Sequence, residues 1–265
     1  MQSLRVSGLY RYPVKSLGGE AFSSLEVGAR GLQLDRHWMV VDADGRFITQ
    51  RQQPRMCLIQ ARIGPDRALW LAAPGMPEIR VGEGLGERLE VRVWGDVLSA
   101  SAAGPAADRW LSEFLALPCR LVNLPDDVAR PVDPDYADPT DQVGFADGFP
   151  FLLISQASLD DLNSRLQSPL PMLRFRPNLV VSGCDPYAED GWRRLRIGDL
   201  ELNVAKPCSR CIIPTIDPTT AQRSAEPLRT LRGYRRRDNK IYFGQNLVHR
   251  GSGILAVGMP VEVLA

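Results

Sequence analysis

The chain has 265 residues, of which 44% are hydrophobic and 24% are charged, and its formal net charge at pH 7 is +1. This composition is that of a globular protein large enough for a sizeable buried core. The near-zero net charge provides no global field for nucleic acid or a membrane surface, and no apolar run is long enough for a transmembrane segment or a signal peptide. We therefore expect no nucleic-acid or membrane partner.

The first hundred residues favour β-structure. Short apolar or alternating runs follow one another closely, and breaks rich in Gly, Pro or Asp separate them. Such spacing is typical of a barrel or sandwich rather than of alternating βαβ units. The predicted strands are LRVSGLYRYPV, AFSSLEV, HWMVVD, FITQR, LIQARI, ALWLAA and LEVRVWG.

Helical signals follow. Residues 105–116 (PAADRWLSEFLA) begin with proline and place their large apolar residues on one face, which predicts a helix. Residues 125–141 are rich in Pro and Asp and predict a long surface loop, whose length suggests a function. Residues 158–166 predict a helix capped by Ser158. The strands then resume with NLVVSG, LRIGDLELNVA, CIIPTI and ILAVGMPVEVL.

Strands on both sides of this helix and loop predict two lobes with a boundary near residue 120. One continuous β-rich domain is the alternative. In either case the expected fold class is mainly β with a few short helices.

The chain has five cysteines, Cys57, Cys119, Cys184, Cys208 and Cys211. An odd number without a secretory signal favours free thiols in a reducing cytoplasm. Cys208 and Cys211 form a single CxxC pair within KPCSRC. Structural zinc usually needs four ligands, and His37 and His249 are the only histidines, so a zinc site is not favoured.

Other readings of the CxxC pair remain. A thioredoxin-like pair would open a helix, which the β-branched residues and prolines of IIPTIDP oppose. A catalytic Cys–His pair would need a contact in space that the sequence does not show. A thiolate ligand for a soft metal centre would be favoured by Lys206 and Arg210 nearby. Spacing alone does not separate this last reading from a buried structural pair.

Basic residues occur where apolar runs meet loops, at Lys15, Arg36, Arg51, Arg174 and Arg176. Each alone is compatible with solvated surface charge. With Arg210 they could converge on a phosphate, and Ser16 and Ser209 could add donors. The glycine-rich nucleotide fingerprints are absent. The most basic segment, residues 229–238, fits a solvated loop better than a docking surface for an acidic redox partner.

Several motifs occur in a characteristic order, namely YPVKS, GLQLDRHWMVVD, RFRPNLVVSGCDPYAEDGW and KPCSRC followed by IIPTIDP. Together they resemble the MOSC family, named for the molybdenum cofactor sulfurase C-terminal domain. The resembled branch has an N-terminal β-barrel domain and includes the mitochondrial amidoxime-reducing component and its bacterial counterparts. Over nearly the whole chain, this resemblance implies a β-barrel-like domain in residues 1–120 and a MOSC domain in residues 121–265, with the molybdenum cofactor between them.

The resemblance also implies roles for individual residues. Cys211 would be the catalytic cysteine that ligates molybdenum, and Cys208 a neighbour that is not a ligand. The other positions implied to bind the cofactor are Lys15, Ser16, Arg36, Asp147, Gly148, Phe149, Arg176, Ser209 and Arg210. The transfer is loosest for the three residues from Asp147 to Phe149.

The implied activity is a molybdenum-dependent reduction of N-hydroxylated compounds, such as amidoximes, hydroxylamines and N-hydroxylated bases. Two alternatives remain, a non-catalytic carrier of the cofactor or its sulfur and a cysteine-dependent enzyme without metal. Pyridoxal phosphate binding belongs to the resemblance only as a family-level association.

Some bacterial relatives continue into a 2Fe–2S domain, whereas this sequence stops at VGMPVEVLA and has no downstream set of cysteines for a cluster. We therefore expect a separate electron-transfer protein, a flavin or iron–sulfur reductase. The lack of a targeting segment favours a cytoplasmic location.

Overall fold

The structure is a computed structural model that describes residues 3–82 and 86–265. The described residues form mostly β-strands, which confirms the expected fold class. The strands are β1 Arg5–Arg11, β2 Glu20–Phe22, β3 Ser24–Gly28, β4 Gly31–Leu32, β5 Trp38–Val41, β6 Gln60–Ile63, β7 Leu69–Ala72, β8 Ile79–Val81, β9 Arg88–Val93, β10 Asp96–Ala102, β11 Arg120–Asn123, β12 Phe151–Ser155, β13 Leu179–Ser182, β14 Arg194–Ile197, β15 Leu200–Ser209, β16 Arg236–Arg237, β17 Lys240–Arg250, β18 Gly253–Ala256 and β19 Glu262–Val263.

Three α-helices and several short 3-10 turns connect these strands. The α-helices are α1 Pro105–Leu115, α2 Gln156–Ser164 and α3 Leu228–Arg232, and the 3-10 turns are Pro54–Leu58, Met172–Arg174, Ala188–Asp190 and Ile213–Thr215. Within residues 3–82 and 86–265, no helix has the length and apolar character that a membrane crossing requires.

The largest sheet contains β15, the strand that leads into the CxxC pair. Its strand order is β19-β14-β15-β17-β12-β13-β1-β2, and β16 pairs with β17 outside this path. The long antiparallel pair β15–β17 has register shifts on either side of Lys206 and Pro207. Such bulges bend a strand and redirect its side chains, so they change the course of β15 just before Cys208.

β1 and β2 belong to the same sheet, and β3, in a separate three-stranded sheet with β18 and β4, packs in the same core. β1 pairs antiparallel with β13, and β3 pairs with β18. Val6, Leu9 and Val27 pack in one buried cluster with Leu153 and Leu247. Strand pairing therefore crosses the expected boundary near residue 120, and the division into two domains stays a prediction.

A second core lies around α1 and a separate four-stranded sheet of order β5-β11-β10-β9. The apolar face of α1 packs with Trp38, Val40 and Leu121, because its large residues recur at helical spacing. The predicted helix is confirmed at Pro105–Leu115. Residues 125–141 contain no helix or strand, as expected of a long loop.

The predicted cap of the second helix is wrong. α2 begins at Gln156, and the capping residue is Ser155, whose Oγ accepts a hydrogen bond from the Ser158 amide at 3.1 Å. Ser158 lies inside the helix, where its buried hydroxyl donates to Glu189 at 2.8 Å. The extended backbone of β12 continues into Ser155, so the serine at the strand end takes the capping position.

Two predicted strands are also wrong. In FITQR, only Phe47 makes an isolated bridge, and the Thr49 side chain bonds Gln52 in a turn. In CIIPTI, β15 has already ended at Ser209, and Pro214 lies in the 3-10 turn Ile213–Thr215. Proline lacks the backbone amide donor that pairing between strands requires. The local side-chain hydrogen bonds of threonine compete with such pairing.

Candidate functional site

A cavity of about 140 Å³ lies where the loop after β1, the segment before β12, the turn before β13 and the end of β15 meet. The structure brings all ten predicted site residues to the lining of this cavity, and their roles stay predictions. They are Lys15, Ser16, Arg36, Asp147, Gly148, Phe149, Arg176, Ser209, Arg210 and Cys211.

Lys15 is a buried cation in the cavity wall. Its backbone amide donates to Trp38 O at 2.8 Å, and Ser16 follows in the left-handed region with φ of 67°. The Lys15 side chain is 5% exposed, and its Nζ donates to Phe145 O at 2.8 Å and to Asp147 Oδ1 at 2.5 Å. Burial lowers the pKa of Lys15 to about 8, although Asp147 opposes the shift.

Arg36 and Arg176 form a second pair of cations. Both have positive φ, 46° and 56°, and both guanidinium groups lie over the Tyr12 ring, at 4.4 and 4.2 Å. Arg36 donates to Asn178 Oδ1 at 2.9 Å and to Arg176 O at 3.2 Å. Arg176 donates to Leu17 O at 2.6 Å, but its buried Nη2 has no partner among the described residues. Burial lowers the pKa of Arg176 to about 10.

The CxxC segment places its two cysteines in different surroundings. Arg210 donates through Nη2 to Phe175 O at 2.7 Å and through Nη1 to Cys208 Sγ at 3.1 Å. Arg210 Nε is buried without a partner in the described part of the chain. Both thiols are free. Both cysteines lie at the junction of the cavity with a larger cleft, with Cys208 engaged by Arg210 and Cys211 next to Arg51.

Asp147 lies at the same junction, with 54% of its side chain exposed. Lys15 bonds one carboxylate oxygen, and Arg51 Nη2 bonds the other at 2.7 Å. Desolvation would raise the pKa of Asp147, but the two cations outweigh it and hold this pKa well below its usual range. Asp147 is therefore a carboxylate at any physiological pH.

The segment before Asp147 is fixed by close contacts. An added Cβ at Gly144 would lie 2.8 Å from Arg36 O and 2.9 Å from Asp35 O. Buried Arg130 donates to Gly144 O at 2.6 Å and to Ala146 O at 2.7 Å. Only glycine permits this approach of two backbones, and the contact brings Asp147 next to Lys15.

Arg51 is a site residue whose position the sequence did not assign. Its guanidinium lies 5.0 Å from the centre of the Trp94 ring and contacts Asp147. Desolvation lowers the pKa of Arg51, but Asp147 and the Cys211 side chain more than compensate, so that the pKa is raised. The only sequence signal was its place among the basic residues at loop edges. Asn178 was missed too, although it follows Arg176 in the FRPN motif.

Other candidates lie elsewhere. Arg174 pairs with Asp217 at 2.9 Å and does not line the cavity. His37 and His249 are absent from the described lining of both the cavity and the cleft, so neither supports a Cys–His pair there.

The larger cleft has a volume of about 1030 Å³. It shares with the cavity the residues Asp147, Gly148, Phe149, Cys208, Ser209, Cys211 and Asn246. The long loop contributes Tyr136 to one wall, Trp94 lies on another, and Tyr242 comes from β17. The site is thus a small polar chamber that opens onto a wide, partly aromatic cleft.

The charges of the chamber fit an anionic group that brings its own metal ligands. Four basic residues line it, Lys15, Arg36, Arg176 and Arg210, with one carboxylate, Asp147; Arg51 bonds Asp147 from the cleft, and Asp35 pairs with Arg36. In the described residues, no group of three or more His, Cys, Asp or Glu side chains could hold a metal by itself. The partnerless guanidinium nitrogens and the single thiol of Cys211 suit a phosphate-bearing cofactor with a thiolate-accepting metal, as the molybdenum cofactor is.

Family models match most of the chain. A model described as "MOSC N-terminal beta barrel domain" matches residues 3–118, and one described as "MOSC domain" matches residues 140–262. Among solved structures, the YUAD protein from Bacillus subtilis aligns with 98% of this chain and 94% of its own, at 11% identity and a TM-score of 0.45.

Curated relatives are similar over almost the full length. "Mitochondrial amidoxime-reducing component 1" of Homo sapiens is 40% identical over 280 residues, which span 98% of this chain and 82% of the relative. "Mitochondrial amidoxime reducing component 2" of Bos taurus is 35% identical over 97% of this chain and 82% of the relative. These matches confirm the resemblance drawn from the motifs, and the chain belongs to the MOSC family, as a member with a MOSC N-terminal beta barrel domain followed by a MOSC domain.

Proposed function

We propose that the chain is an oxidoreductase that uses the molybdenum cofactor to reduce N-hydroxylated compounds, with electrons from a separate donor protein. The names of the relatives, amidoxime-reducing components, support this activity class. The observation that carries the proposal is the position of Cys211, where a cation-lined chamber meets a wide cleft.

The cofactor's phosphate would lie among Arg36, Arg176 and Arg210. The last two carry the partnerless buried nitrogens, which can each donate to a phosphate oxygen. Ser16 and Ser209 line the same wall and can add hydroxyl or amide donors. As the family resemblance implies, Cys211 would provide its thiolate as the protein's metal ligand, and Cys208, which accepts a hydrogen bond from Arg210, would be its neighbour.

Reduction of an amidoxime to an amidine consumes two electrons and two protons and releases water. The bound cofactor would supply the metal that accepts the oxygen and transfers the electrons. The chain would position the reaction and provide protons. Lys15, with its lowered pKa and its Nζ held between Phe145 O and Asp147, is a protonated group that can release a proton near neutral pH.

Asp147 and Arg51 would fix the orientation of this proton source. Asp147 bonds both cations at once, and its charge is secured by them. Arg51 also lies beside Cys211 and faces the cleft. A substrate entering the cleft would therefore meet Cys211, Asp147 and Arg51 together, with Lys15 on the chamber side of Asp147.

Electrons would come from a separate flavin or iron–sulfur protein. The segment from α3 to the start of β17 exposes Arg232, Arg236, Arg237 and Lys240. Arg237 and Lys240 also line the rim of the cleft. An acidic donor could be steered to this rim by long-range attraction.

The test uses protein produced in a host that supplies the cofactor, with dithionite-reduced methyl viologen as the electron source. We expect bound molybdenum and conversion of benzamidoxime to benzamidine. Molybdenum without turnover, with this or any protein donor, would support the alternative of a cofactor or sulfur carrier. Protein that never contains molybdenum would instead support a cysteine-dependent enzyme.

A further inference from the structure

The wall of the large cleft contains a lysine that the cofactor chamber does not use. Lys206 is on β15, two residues before Cys208, and it lines the cleft but not the chamber. It is half-buried. Its position next to the reacting segment makes it a candidate for contact with whatever enters the cleft.

Lys206 is held by aromatic rings rather than by a carboxylate. Its Nζ lies 3.8 Å from the centre of the Tyr136 ring and 5.0 Å from that of Phe149. Across residues 3–82 and 86–265, no ion pair or side-chain hydrogen bond involves it. An ammonium group over two ring faces is favourable, but it retains donors that can bind an anion.

Two other cations of the cleft are paired close to the chamber, since Arg51 bonds Asp147 and Arg130 bonds Asp96 at 2.8 Å. Arg237 and Lys240 line the same cleft but are exposed, whereas Lys206 is half-buried on an aromatic wall. The rings of Tyr136 and Phe149, themselves in edge-to-face contact at 6.2 Å, offer apolar area beside it.

We infer that Lys206, with Tyr136 and Phe149, forms a subsite for the anionic substituent of an aromatic substrate; it shares Phe149 with the cofactor chamber, while Lys206 and Tyr136 line only the cleft. The rings would contact the aromatic body, and the ammonium would bind a carboxylate or phosphate carried on it. This inference rests on the proposed function, in which N-hydroxylated substrates enter the cleft to reach Cys211. The preferred substrates are then N-hydroxylated aromatic compounds that carry a negative charge.

The test compares two amidoximes that differ by one charge, benzamidoxime and 4-carboxybenzamidoxime. Molybdenum-loaded enzyme is reduced with dithionite-reduced methyl viologen, and kcat/KM is measured for wild type, Lys206→Met, Lys206→Arg and Lys240→Met. We expect wild type to prefer the carboxylate by about tenfold, since a charge-assisted hydrogen bond contributes about that factor. Lys206→Met should lose the preference and keep its rate on the neutral compound.

The variants separate this subsite from general charge effects. Lys206→Arg should keep most of the preference, and Lys240→Met removes a cleft lysine without an aromatic cage and should change the preference less than about twofold. An unchanged preference in Lys206→Met would overturn the inference. Loss of molybdenum from Lys206→Met, measured by elemental analysis, would also overturn it, because the lysine would then serve the cofactor.

A binding measurement keeps this test independent of turnover. Calorimetry with 4-carboxybenzamide and benzamide, neither of which carries an N-hydroxyl group, should show tighter binding of the carboxylate to wild type and equal binding to Lys206→Met. Equal binding of both amides to wild type would contradict the subsite. If neither amidoxime is reduced while the calorimetric difference is present, the proposed function fails and the subsite stands.

Discussion

Arg51 Nη2 donates to Asp147 Oδ2 at 2.7 Å across 96 positions of sequence, while Lys15 Nζ holds the other oxygen of the same carboxylate. The ion pair of Arg51 and Asp147 lies at the boundary between the chamber and the cleft. Arg51 also contacts Cys211 and lies against Trp94. The carboxylate, the thiol and the aromatic wall of the cleft thus share one guanidinium.

Replacing Arg51 with Gln should lower kcat/KM for benzamidoxime by roughly tenfold to a hundredfold, because the charge that orients Asp147 and faces Cys211 is lost. Arg51→Lys should recover part of the rate. The kinetics are measured with methyl viologen, and thermal unfolding of the same samples shows whether the fold is intact. A rate for Arg51→Gln equal to that of wild type would exclude a role for this contact.

Substitution of the two cysteines should separate the metal ligand from its neighbour. Cys211→Ala is expected to lose activity and to alter the absorption spectrum of the metal centre, although some cofactor should remain through its phosphate contacts. Cys208→Ala removes only an acceptor of Arg210, which Phe175 O still holds, and should retain activity and metal. Equal effects on activity and molybdenum content would contradict the single-ligand assignment.

Arg176→Met should lower retention of the cofactor, because Arg176 lines the chamber and its buried Nη2 has no partner among the described residues. We expect the affinity of apoprotein for inorganic phosphate, measured by calorimetry, to fall by about tenfold. Arg174→Met is the matched control, since this arginine pairs with Asp217 outside the chamber. Parallel losses of phosphate affinity in both variants would indicate a general charge effect.

Gly144→Ala should displace the segment that carries Asp147. The new Cβ would lie 2.8 Å from Arg36 O, and backbone atoms cannot move aside without cost. We expect a loss of about 1–3 kcal/mol in the free energy of unfolding, as for other overpacked sites. Gly148→Ala, in the same segment, has no atom within 4 Å of its added Cβ and should lose much less. Urea unfolding of the apoproteins checks both values.

His37 should make stability depend on pH in the acidic range. Burial, and secondarily Arg30, lowers the pKa of His37 from 6.5 to about 4. Between these values the unfolded chain binds the proton and the folded chain does not, so stability falls as the pH is lowered from 6.5 towards 4. Relative to wild type, His37→Gln should remove a fall in the free energy of unfolding of up to about 3 kcal/mol. The midpoints of urea unfolding of wild type and His37→Gln, measured at several pH values, test this prediction. The same pH dependence of stability in both proteins would contradict it.

The residues that line the chamber were named through the resemblance to the MOSC family, and each of the motifs that carry this resemblance lies in one short stretch. YPVKS, FRPN and KPCSRC each present their side chains at a loop whose backbone is fixed locally, for example by the positive φ of Arg176. Arg51 was different, since its role depends on Asp147 and Cys211, which are distant in the chain. Such a contact is specified by tertiary packing and leaves no local pattern.

The errors in secondary structure have local causes of another kind. CIIPTI has the β-branched composition of a strand, but its proline cannot supply a ladder amide, and the chain turns there instead. For α2, two serines were available as caps, and the extended end of β12 selected Ser155. The pairing of β1 with β13 joins residues more than 150 positions apart, which periodicity within a single segment does not reveal.

The interleaving of β1 with the C-terminal sheet sets an order of events during biosynthesis. Lys15 emerges early from the ribosome, but the wall opposite it is complete only when β15 and its partner β17 have followed. A growing chain therefore has no chamber to fill until almost all of it has been translated. Under the proposed function, insertion of the cofactor would therefore be a late step that follows synthesis of β17.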